Sequence, residues 1–169
     1  MTTIGCRTRS LGLAIAAGLA LGTPGAAYAE LDIFLKISGL VGESQDARHR
    51  DEIDVLSFTE TVVGRTCSRF TIVKNVDRAT PGLTDAASDG RHFQSATLVV
   101  RTAGRDPVEF YVVTMQELTV LSAEQVADSA MVRPTEKVVL VPRMARIRYV
   151  PQRANGAPGA AVESTLTCQ

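Results

Sequence analysis

The sequence predicts an all-β fold: a small antiparallel β-barrel with one short flanking α-helix. Three observations carry this expectation. Six runs enriched in β-branched and aromatic residues lie between Leu31 and Tyr149, Gly-containing turns separate two pairs of those runs, and a single segment carries both a helix start and a helix stop. In the first run Leu31, Ile33, Leu35 and Ile37 alternate with Asp32, Lys36 and Ser38, the period of a half-buried strand. A polar segment, Gly39 to Arg50, follows, and the strand pattern resumes from Ile53 to Val63 and again from Cys67 to Val76. Gly64-Arg65 between these two reads as a hairpin turn and makes them antiparallel neighbours. Thr80 as N-cap, Pro81 at the first helical position and Gly90 past the end define the helix. Ala96 to Thr102 and Val108 to Leu121 are joined by Ala103-Gly104-Arg105-Asp106, a second hairpin.

The Val108 run carries Val108, Phe110, Val112, Leu118 and Val120 in one phase and Tyr111, Val113, Met115 and Leu121 in the other, so both of its faces call for cover. A closed barrel covers one, and a helix or a neighbouring subunit must cover the second. Lys137 to Tyr149 is the sixth run, with Pro142 marking an edge or a bulge because proline has no N–H for a ladder. Ala154 to Ala161 reads as a flexible linker to a short C-terminal segment.

Eighteen basic residues against 18 acidic ones leave no concentrated positive surface for nucleic acid. Residues 1–29 read as a secretory signal peptide: Arg7 and Arg9, an apolar run from Leu11 to Leu21 too short to span a bilayer, and small residues at Ala27 and Ala29. Cleavage between Ala29 and Glu30 leaves residues 30–169 as one exported domain, periplasmic or secreted, without stable membrane insertion. Thr8 separates the two arginines, so the twin-arginine signal is absent and export in the unfolded state is expected. The exported part keeps two cysteines, Cys67 and Cys168, a candidate disulfide in an oxidising compartment; a buried Cys67 beside an idle Cys168, or pairing between subunits, are the alternatives.

The sequence lacks H-E-x-x-H, C-x-x-C, G-x-S-x-G and the Gly-rich phosphate motifs, so no catalytic, cofactor or metal set is assigned. The densest polar stretch, Glu43 to Asp54, holds His49, Asp51 and Glu52, which could be imagined around a metal, and Ser44, His49 and Asp54, the residue types of a triad. A solvated loop of balanced charge is the simpler expectation there, and His92 reads as a structural or surface histidine.

Phe34 to Ser44, with Gly42, Glu43 and Ser44, and then Asp46, His49, Glu52, Ile53 and Asp54, resembles the opening of the haemolysin-coregulated protein (Hcp) family, the tube protein of type VI secretion. The resemblance continues through Asp77 to Leu83, Gly90 to Ala96, Val108 to Tyr111, Thr135 to Val138, Tyr149 to Gln152 and Asn155-Gly156. It implies a barrel with one helix, assembled as a homohexameric ring whose rings stack into a tube. It further implies a non-catalytic conduit or carrier, with type VI secretion components or small effector proteins as partners and no cofactor. Three features depart from the family pattern: the signal peptide, the short Gly64-Arg65-Thr66 connection, and a tail from Ala160 to Gln169 without the usual aromatic residues. A monomeric exported binding or adaptor module is the alternative they suggest.

Overall fold

The computed structural model describes residues 30–62, 68–153 and 156–168. Seven strands and one helix follow in the order β1 (Leu31–Ile37), β2 (Ile53–Thr61), β3 (Arg69–Asn75), α1 (Thr80–Asp89), β4 (His92–Thr102), β5 (Glu109–Val126), β6 (Thr135–Tyr149) and β7 (Val162–Thr167). All strand pairs are antiparallel, in the order β3-β2-β1-β4-β5-β6, and β6 pairs back onto β3 to close a six-stranded barrel. Closure removes the strand edges that an open sheet of this size would present. The signal-peptide region, the Gly64-Arg65-Thr66 connection and Cys67 lie outside the described residues.

The six expected runs are all strands, and both expected hairpin pairs are neighbours. The barrel interior is filled from alternate positions: Leu35 and Ile37 of β1, Phe70 and Ile72 of β3, Leu98 of β4 and Leu140 of β6. Leu83 and Ala86 of α1 join the same core, and the helix packs against β5.

The two apolar phases of β5 have a different explanation from the one expected. The buried set is Val113 and Met115, then Leu118 and Val120, so the inward phase changes between Met115 and Leu118. Glu117, at φ 49°, stands at the change. The register aligns this crease across three strands: Phe93, Leu118 and Pro142 are buried on one side of it, Ala96, Met115 and Ala145 on the other. One interior therefore takes apolar residues of both phases.

Four expectations are corrected. Thr80 does not cap α1; the cap position is Ala79, whose carbonyl accepts the Leu83 N–H at 3.0 Å, while the Thr80 hydroxyl donates to Glu136 at 2.9 Å. Pro142 lies on neither an edge strand nor a register shift. One side of β6 pairs with β3 up to Leu140 and with β7 from Met144, and Pro142 falls in the gap between them. The expected linker from Ala154 to Ala161 is tied back to the chain where it is described: Gln152 bridges Pro158, and the Gly159 N–H donates to the Pro151 carbonyl at 2.7 Å. β7, the seventh strand, then lies along Met144–Tyr149.

Candidate interaction face and the loop that frames it

The segment between β1 and β2 is built by close backbone approach. Gly39, at φ 84°, turns the chain out of β1. At Gly42 a Cβ would lie 2.2 Å from the Glu52 carbonyl oxygen, so only glycine lets the two arms meet. The Gly42 N–H donates to the Asp51 carbonyl at 2.7 Å and the Ser44 N–H to that of Glu52 at 3.0 Å. Asp46 Oδ1 accepts the N–H groups of Arg48 and His49 at 2.9 and 3.1 Å, fixing the turn between the arms.

This segment was expected to be solvated, but Ser44 and His49 are buried. The His49 ring stacks on Phe34, with centroids 4.1 Å apart and planes 8° apart, and its Nδ1 lies 2.9 Å from Glu52 Oε2. Its Nε2 lies 3.6 Å from Glu109 and has no hydrogen-bond partner among the described residues. Arg101 of β4 lies 4.8 Å over the centroid of Phe34. It donates from Nη1 and Nη2 to the two oxygens of Asp46 at 3.1 and 2.6 Å, and from Nη2 and Nε to Asp32 Oδ2 at 2.9 and 3.0 Å. This bidentate hold is the main reason the Asp46 carboxyl is lowered to about 2, with the Arg48 N–H assisting; in return Asp46 raises Arg101 above the ordinary guanidinium range.

The imagined chemical sites are not assembled. Ser44 Oγ accepts the Asp46 N–H at 3.4 Å, His49 is engaged by Glu52, and Asp54 is exposed on β2 opposite Phe34. Among the described residues no group of three or more His, Cys, Asp or Glu side chains is arranged to hold a metal ion. Glu43 reaches Arg133 at 3.2 Å, and His92 is an exposed residue bonded to Thr119 at 2.9 Å. Glu30 is exposed, and its carbonyl accepts the Ala103 N–H at 2.8 Å; Ala29 is outside the described residues.

A second polar cluster was missed at the level of sequence. Lys74 and Glu136 face each other across the β3–β6 closure, both fully buried, with Nζ 2.9 Å from Oε2. Lys74 also meets Asp77 at 2.8 Å and donates to the Asn75 carbonyl and the Thr80 hydroxyl, while Gln125 donates to the other Glu136 oxygen at 2.7 Å. The signal available was the strand period, which puts Lys74 on the inward phase with Phe70 and Ile72; its partner Glu136, 62 residues away, is what the local pattern does not show.

A family model described as "Type VI secretion system effector, Hcp" matches residues 34–149. This chain belongs to the Hcp family. Protein hcp1 of Pseudomonas aeruginosa is 32% identical over 142 residues, spanning 75% of this chain and 88% of that protein. Among solved structures, Hcp1 from Salmonella typhimurium has TM-score 0.73 at 31% identity, covering 82% of this chain and 94% of its own. Hcp2 from Salmonella typhimurium has TM-score 0.67 at 29% identity, covering 79% and 93%. The Hcp match begins at Phe34, the ring on which Arg101 and His49 stack, and ends with β6, so it contains the framed loop and the barrel closure but not β7.

Among the described residues, Val41, Leu56 and Val62 are exposed on the β1–β2 loop, in β2 and just past its end, and the other exposed large apolar side chains fall in two groups. Leu31, Tyr149 and Val162 lie near the ends of β1, β6 and β7; Leu121, Val126, Met131 and Val132 follow the β5–β6 hairpin, with Val132 fully exposed.

Proposed function

We propose that this chain is a non-catalytic, exported Hcp subunit that assembles through its exposed apolar surfaces into six-membered rings and acts as a conduit or carrier for small effector proteins. The observation that carries the reading is the shared fold: a closed barrel with the framed loop, superposing on Hcp1 from Salmonella typhimurium over 94% of that chain. Single exposed apolar residues are ordinary, but two groups on one small barrel suit a heterologous contact that closes a ring. Removal of residues 1–29 delivers the domain to the periplasm or beyond.

We further propose that Cys67 and Cys168 pair within one chain. Two contacts support this pairing. The Cys168 N–H donates to the Arg143 carbonyl at 2.8 Å, and β3, whose first paired residues are Arg69 and Phe70, aligns Phe70 with Leu140 of the same strand. The ends of β3 and β7 thus converge on one stretch of β6.

The test is the absolute mass in solution, by light scattering on a sizing column, of residues 30–169 recovered from an oxidising compartment. A sixfold mass is expected, with and without reductant. A monomer under both conditions overturns the ring and leaves the adaptor reading, which an intact intramolecular Cys67–Cys168 bridge without self-association would favour.

A further inference from the structure

Successive strand registers place five residues in one row across the outer face of the barrel. Lys36 of β1 is opposite Thr97 of β4, Thr97 opposite Thr114 of β5, Thr114 opposite Arg146 of β6, and Arg146 opposite Thr165 of β7. Their sequence neighbours Leu35, Ile37, Leu98, Val113, Met115 and Ala145 point into the core, so the row itself points outward. On one side runs a parallel row of Ser95, Gln116, Met144 and Thr167; on the other, Arg148 faces Glu163. A groove in this face is lined by Thr114, Gln116, Met144, Arg146 and Thr165 together with Glu163.

Hydroxyl and amide side chains dominate the two rows through Lys36 and Ser95, with Met144 the exception, while the row of Arg148 becomes apolar toward β1 through Val112, Val99 and Phe34. None of the exposed large apolar residues belongs to these rows. Its charged groups are Lys36, Arg146, Arg148 and Glu163. Lys36 is exposed and has no ion pair among the described residues. Arg146 and Arg148 share the single Glu163, Arg146 through Nη2 and Arg148 through Nε at 3.9 Å, which leaves most of their donors free. Glu163 shows how this face holds a carboxylate: between guanidinium groups, on a bed of threonines.

We propose that this five-stranded outer face is a docking surface for an acidic, extended polypeptide segment. The proposal deepens the carrier reading by naming the chemistry of what is carried. Strands about 4.8 Å apart put Lys36 and Arg146, three strands distant, about 14 Å from one another. An extended peptide laid across the strands advances about 3.4 Å per residue, so carboxylates at positions i and i+4 reach both cations while hydroxyls between them satisfy its polar groups. Phe34, the aromatic side chain at the β1 end of the Arg148 row, is buried beneath His49 and Arg101; these rows therefore expose no stacking platform of the kind single-stranded nucleic acid uses, which favours a peptide.

The test is fluorescence anisotropy of a labelled nine-residue Ser/Thr peptide carrying Glu at positions 3 and 7, titrated with residues 30–169 at about 50 mM salt. Controls are the same peptide with Lys at both positions and a single-stranded oligonucleotide of matched charge. Saturable binding of the Glu peptide alone is expected. It should fall at least about tenfold in Lys36→Glu/Arg146→Glu and by a smaller factor in Lys36→Gln, which leaves the Arg146–Glu163 pair intact. Equal binding by the charge-reversed variant, no binding of the Glu peptide, or equal binding of the oligonucleotide overturns the proposal. Mass is read on the same samples: rings that do not bind overturn the docking surface alone, and a monomer that binds overturns the ring alone.

Discussion

Asp46 couples the framed loop to the barrel wall, and its titration makes that coupling measurable. Its carboxyl is lowered from 3.8 to about 2, first by the hydrogen bonds from Arg101. Because the folded value lies below the unfolded one, the stabilisation is fully present above about pH 4 and is lost as pH falls through about 2. Solvent screens this partly exposed pair, and the coupling is worth about 1 kcal/mol. Asp46→Asn is therefore expected to lower unfolding stability by about 1 kcal/mol at pH 7, with the gap to the native protein closing by pH 2, as followed by urea midpoints across pH. A constant gap over that range would show that Asp46 acts through shape rather than charge. At this scale sequence was least informative. The residues Gly42, Ser44, Asp46 and His49 stood out, but a run of mixed charge looks the same whether water or Arg101, Phe34 and Glu52 satisfies it. Arg101, 55 residues from Asp46, is the partner that no local pattern shows.

The elements were far more legible, because strand period and turn chemistry are local. Pro81 and Gly90 bounded α1 through fixed φ and a left-handed C-cap at φ 70°. What escaped had no local signature: β7 (Val-Glu-Ser-Thr-Leu-Thr) has too little apolar alternation and is a strand because β6 offers it an edge. The crease through Glu117 let one interior take both phases of β5, which looked from sequence like a demand for two covers. The β3–β6 closure carries a sharper test. Lys74→Met leaves Glu136 buried without its cation and is expected to cost about 3–5 kcal/mol in chemical denaturation. Adding Glu136→Leu should restore about half, since Asp77 still lacks Lys74. A double variant no better than the single would mean the two charges are not coupled.

For the whole molecule the two apolar phases of the Val108 run already called for a closed barrel, and the resemblance to the Hcp family agreed with it. The tail offers the prediction at this scale. A Cys67–Cys168 bridge closes about 100 residues, with a chain-entropy ceiling near 4.7 kcal/mol. Reductant should lower the urea midpoint of the native protein and leave that of Cys168→Ser unchanged; a native midpoint indifferent to reductant removes the bridge. The barrel closure also has a kinetic meaning. Lys74 and Glu136, paired across it, are 62 residues apart in sequence, and pairings of such separation form slowly because the loop entropy is lost before the contact is gained. β6 supplies edges to β3, β5 and β7, so the barrel wall has nothing to complete it until that strand is available. Until then β1 to β5 remain an unclosed sheet, and the last fifth of the chain acts as the clock for folding.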